Sequence, residues 1–133
     1  MQIFIIAPVS NVPADVSRRL DVHVTELERQ GHQVHWAERD TTQTDRFGLN
    51  SYLADLSALR MAVEVHIWYD ADCWESVFDV GALVMCALTA GLKKRIVLLN
   101  RDEIMSTPDK SFANVVLALA GASRSEVRDA VKP

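Results

Sequence analysis

The chain has 133 residues, 14 basic and 18 acidic side chains, a net charge of −4 and a pI near 5.5. That length suits one domain (1–133) with a core of its own, and the charge excludes a general binder of nucleic-acid polymers, which needs clustered Lys and Arg. Two cysteines, Cys73 and Cys86, supply no disulfide framework and fit a reduced, cytoplasmic setting. The apolar opening is short and lacks a basic flank, so neither a signal peptide nor a membrane span is expected there.

In chain order, residues 2–7 form an apolar, partly β-branched run closed by Pro8, the pattern of a buried strand. Residues 13–30 carry Val16, Leu20, Val24 and Leu27 at helical spacing, with Gly31 as a stop signal. Residues 32–36 read as a second strand and 38–50 as a loop. A helix over 51–61 presents Leu53, Leu56, Ala58 and Leu59. Residues 63–69 form a third strand, 76–90 a mostly apolar helix ended by Gly91, and 95–99 a fourth strand. Helices over 111–120 and 123–131 complete the chain. Alternating strands and helices predict an α/β fold: a three-layer, flavodoxin- or Rossmann-like sandwich. Its small parallel sheet has about four strands in the order 2-1-3-4, with helices on both faces.

A parallel sheet gathers its strand ends on one edge, where open α/β folds bind ligands. Here those ends carry Pro8, Val9, Ser10 and Asn11; Trp36, Arg39 and Asp40; Trp68 and Asp70, with Trp74 nearby; and Asn100. Aromatic faces beside hydrogen-bonding groups suit a flat heterocycle such as a nucleobase. Ser76 and Asp79 fit a capping box, and the helix dipole would keep Asp79 ionised; capping and catalysis both remain open for it. Gly81, costly inside a helix, implies close packing. Asp55 sits on the border of the preceding helix, an ordinary solvated position unless it stands beside Asp79. Paired carboxylates cleave glycosidic bonds. Metal binding is not expected: His32 and His35 point to opposite faces of a strand, and His23 and His66 lack a partner at chelating spacing, His66 being a core or sheet-face histidine. Cys73 reads as a small loop filler. No dinucleotide or P-loop fingerprint is present, so no cofactor is expected.

Three segments carry a resemblance. They are Ile5-Ile6-Ala7-Pro8-Val9-Ser10-Asn11 after the first strand, Val34-His35-Trp36-Ala37-Glu38-Arg39-Asp40-Thr41 after the second, and Cys73-Trp74-Glu75-Ser76-Val77-Phe78-Asp79-Val80-Gly81 after the third. Together with Asp55, 24 positions before Asp79, they resemble the nucleoside 2-deoxyribosyltransferase-like superfamily, which includes deoxynucleoside monophosphate N-glycosidases. Asp79 stands where that family usually has Glu, and Cys73 and Glu75 replace its Ser and Gly. The resemblance implies cleavage or transfer at the N-glycosidic bond of a 2′-deoxynucleoside or nucleotide. Asp79 would be the nucleophile and Asp55 the acid, with substrate held by the strand-end residues and Ser76. It also implies a homo-oligomer. The alternative is a non-catalytic nucleotide-binding or interaction module of the same fold.

Overall fold

The computed structural model of the protein describes residues 1–41, 44–88 and 94–121. Four parallel strands, β1 (Gln2–Ile6), β2 (Gln33–Trp36), β3 (Glu64–Ile67) and β4 (Arg95–Leu98), stand in the order β2-β1-β3-β4. This is the expected α/β topology. The helices are α1 (Ala14–Arg29), α2 (Ala37–Asp40), α3 (Leu49–Met61), α4 (Trp74–Leu88) and α5 (Phe112–Leu119). The strand order reverses at β1, so the loops after β1 and β3 open a crevice at the carboxyl edge.

β1 is apolar from Ile3 to Ile6 because both its faces are covered there. Ile3, Ile5 and Ala7 meet Leu20, Val24 and Leu27 of α1, together with Trp36 and Trp68. Phe4 and Ile6 meet Leu59 of α3, Val80 and Leu83 of α4, and Val116 of α5. The expected α1 stripe is therefore the core face of that helix. Its end is a Schellman motif: Gly31, at φ 91°, donates to the Glu28 carbonyl, and His32 donates to that of Leu27. Ser111 caps α5 by accepting from the Asn114 amide at 3.2 Å.

Four local expectations are corrected. The stretch 38–50 is not all loop: a helical turn, α2, follows β2 directly, and α3 starts at Leu49. Asp45 organises that start by accepting from the amides of Phe47, Asn50 and Ser51 at 3.3, 2.6 and 3.1 Å. Leu53 is 54% exposed, and α3 instead buries Asp55 and Leu59. α4 begins at Trp74, two residues early, so Ser76 lies inside the helix and its Oγ has no hydrogen-bond partner among the described residues. No Ser76–Asp79 capping box forms. A Cβ added at Gly81 would meet nothing within 4 Å, so the close packing expected there is absent among the described residues. The Gly91 stop and the helix expected over 123–131 lie outside the described residues.

On the α1 face, β3 contributes polar groups to the interior. His66, buried as expected of a core histidine, places Nε2 2.7 Å from Glu64 Oε1 and Nδ1 2.7 Å from His23 Nε2 of α1. Arg95 approaches Glu64 at 3.7 Å. Burial first, and the neighbouring His66 second, hold the His23 pKa below its ordinary value. This chain supplies the partners that a buried carboxylate requires. Replacing His66 by Phe leaves buried Glu64 with only the distant, exposed Arg95, and urea denaturation is expected to register a loss approaching about 3 kcal/mol. The double variant His66→Phe/Glu64→Leu is expected to recover most of that loss, because no charge is then left buried.

Candidate functional site

α3 and α4 lie side by side on one face of the sheet. α4 starts seven residues after the end of β3, so its first turns sit over the carboxyl edge. This brings Asp55 of α3 and Asp79 of α4 to one cleft of about 180 Å³, closed by Val9 from the loop after β1, and by Gly48, Tyr52 and Glu75. Tyr52 is steadied against Phe78, ring centroids 4.8 Å apart. The cleft is smaller than the ~300–1,000 Å³ common for drug-sized ligands.

Asp55 is 7% exposed, so the solvated helix position expected of it alone does not hold. Its Oδ1 accepts from the Thr41 hydroxyl at 2.5 Å and lies 2.9 Å from His35 Nε2. His35 Nε2 is also 3.1 Å from Thr41 Oγ1, which makes a closed three-residue group. Strand alternation puts His35 there: Val34 and Trp36 face α1, so His35 faces α3, stacked on Phe4 at 5.2 Å. Thr41 follows α2, whose tight turn returns the chain to α3.

Asp79 is the contrasting case. It is 6% exposed, and its Oδ1 is buried with no hydrogen-bond partner among the described residues. Burial first, then the charges of Asp55 and Glu75, push its pKa up to about 7, with His35 opposing them. The ionised Asp79 expected from the helix dipole is thereby corrected. With α4 starting at Trp74, Asp79 lies in the second turn, beyond the reach of the dipole, and desolvation decides.

The other expected residues divide between the cleft and its surroundings. Val9 lines the cleft; Ser10 donates to Glu75 Oε1 at 3.2 Å, and the Cys73 thiol, a buried filler as expected, donates to Oε2 at 3.3 Å. Pro8 is buried, and Asn11 is exposed at φ 53°. Ser76 is fully buried and does not line the Asp55–Asp79 cleft. Asp40 accepts from the Trp36 amide at 2.8 Å and pairs with Arg39, which also meets Glu28 at 2.9 Å; the three residues knit the end of β2 to α1 and lie outside the cleft. Trp68, Asp70 and Asn100 border a separate groove of about 570 Å³. There Arg19 lies 4.6 Å from the centre of the Trp68 ring, and Asn100 bridges the backbone N–H and C=O of Tyr69. Trp36 and Trp68 are core residues, and Trp74 is 87% exposed. None of the three tryptophans lines the Asp55–Asp79 cleft; its aromatic ring is that of Tyr52.

Sequence reasoning missed His35, Thr41, Asp45 and Tyr52. The alternation of β2 could have found His35, and a carboxylate just before a helical pattern could have found Asp45. Among the described residues, no group of three His, Cys, Asp or Glu side chains could hold a metal ion, and no helix is long and apolar enough to cross a membrane. No family model matches the chain, and no curated protein matches it in sequence.

The raised Asp79 pKa makes a stability prediction. Between the ordinary value of 3.8 and about 7, folded Asp79 keeps a proton that the unfolded chain has lost. Its contribution to stability therefore falls as pH rises through that window. Asp79→Asn is expected to stabilise the protein by up to about 4 kcal/mol above pH 7, the gain shrinking toward pH 4. Thermal or urea unfolding of both proteins across pH 4–8 measures the difference.

Proposed function

We propose that the cleft cleaves or transfers at the N-glycosidic bond of a 2′-deoxynucleoside-like substrate. The observation that supports this most is the pair of nine-tenths-buried carboxylates, Asp55 and Asp79, in one cleft but in opposite environments. Such pairs divide the work of glycosidic cleavage. The resemblance of the segments around Val9, Asp55 and Asp79 to the nucleoside 2-deoxyribosyltransferase-like superfamily points the same way.

In this reading the sugar occupies the cleft and Asp79 faces the anomeric carbon. Its Oδ1 has no hydrogen-bond partner among the described residues, so no donor there holds the carboxylate back from attacking or from stabilising positive charge. Asp79 acts as the carboxylate, its proton having gone to solvent before the chemical step, and its charge attracts the oxocarbenium-like cation more than it attracts the neutral sugar. The interaction is then stronger in the transition state than in the ground state. Asp55 orients the leaving base and, with His35 against it, passes the proton that the base needs. Water completes hydrolysis; a second base completes transfer. Repetition of the chain around a homo-oligomer would cover the open side of the site.

Pure protein incubated with deoxynucleosides, with and without acceptor bases, is expected to release free base. Asp79→Asn is expected to lower kcat/KM by at least about a thousandfold. For the free enzyme, kcat/KM is expected to rise with pH up to about 7, following the ionisation of Asp79. Absence of base release from every deoxynucleoside, or full activity in Asp79→Asn, overturns the reading. Saturable binding without turnover would favour the non-catalytic module instead.

A further inference from the structure

The cleft is electrostatically one-sided. Four carboxylates line it, those of Asp45, Asp55, Glu75 and Asp79, and no Lys, Arg or His is among the described residues that do so. Asp45 is partly compensated by the α3 amides, and Asp55 by Thr41 and by His35 behind it. Glu75 receives only a hydroxyl and a thiol. Asp79 has a buried oxygen with no partner at all among the described residues. A cleft lined by one sign of charge and walled by protein concentrates its field on whatever enters.

We propose that this cleft selects a pentose-sized ligand that is cationic, or becomes cationic during reaction, and rejects one carrying a phosphate, with Glu75 as the specificity-determining residue. The proposal rests on the glycosidic reading for the pentose and on the charge arrangement for the selection. A phosphate ester here would meet four carboxylates with no compensating cation. A cation would supply the partner that Asp79 lacks. It would also displace a proton, because the empty cleft keeps Asp79 protonated up to about pH 7.

The groups facing Asp79 are Asp55 and Tyr52 on α3, Glu75 on its own helix, Asp45 before α3, and His35 on β2 behind Asp55. Because a bound cation displaces the Asp79 proton, cation affinity is expected to increase with pH, by about tenfold per unit below the Asp79 pKa.

Three probes separate the possibilities: a hydroxylated pyrrolidine of pentose size, protonated at neutral pH; the tetrahydrofuran of the same substitution; and the 5-phosphate of that tetrahydrofuran. Calorimetric titration in two buffers of different ionisation enthalpy, at pH 6 and pH 8, gives both affinity and protons released. The pyrrolidine is expected to bind at least about tenfold more tightly than the neutral ring. It should release close to one proton at pH 6 and few at pH 8, and the phosphate should bind least. Glu75→Gln should narrow the preference for the cation and strengthen phosphate binding; Asp79→Asn should abolish the proton release.

Equal affinity for pyrrolidine and tetrahydrofuran, tightest binding by the phosphate, no proton release at pH 6, or no binding of any probe each overturns the proposal. The nucleoside assay separates the two readings. Cation selection without base release would sink only the glycosidic chemistry. Base release that prefers the 5′-monophosphate to its nucleoside would sink only the charge selection.

Discussion

The protein is organised around the two-sided burial of β1. From Ile3 to Ile6 this strand is covered on both faces and apolar, and it sits inside the sheet, with β2 on one side and β3 on the other. The chain reverses its direction of winding there. The loops after β1 and β3 diverge as a result, and the helices that follow flank a gap at the carboxyl edge. Asp55 and Asp79 are not near each other in sequence; they meet because α3, which precedes β3, and α4, which follows it, pack their apolar residues on the same face of the sheet.

Two polar assemblies lie on opposite faces of that sheet and are handled differently. On the α1 face, Glu64, His66 and His23 satisfy one another in line. On the α3–α4 face, Asp55 is satisfied by Thr41 and His35, and Asp79 Oδ1 has no partner among the described residues. A satisfied buried group rigidifies its surroundings, whereas an unsatisfied one is retained at an energetic penalty. The asymmetry makes the Asp79 side the place where a ligand can do what the fold does not.

The strands, the α1 stripe and the Gly31 stop were legible because each depends on local spacing or on a single backbone conformation. The start of α4 was misread because Ser76 and Asp79 imitate a capping box, while the helix actually begins at Trp74. The tryptophans were misassigned for a related reason. A strand end can turn its last side chain into the core or toward a ligand, and Trp36 and Trp68 pack beneath α1. His35 was dismissed as half of an impossible metal pair, although the same alternation that ruled out the pair points it at Asp55.

The sequence by itself determined the class of fold, the strand order and the edge on which a site would form, because hydrophobic periodicity and crossover handedness act along the chain. It also singled out Asp55 and Asp79. Only the tertiary structure decided their states. Whether a carboxylate is solvated, held by donors or stripped of partners depends on what other segments place around it. Here β2 and the turn after α2 supply Asp55, and nothing described supplies Asp79. Desolvation and the charges of neighbours far off in sequence, not the helix that carries it, set the protonation of Asp79.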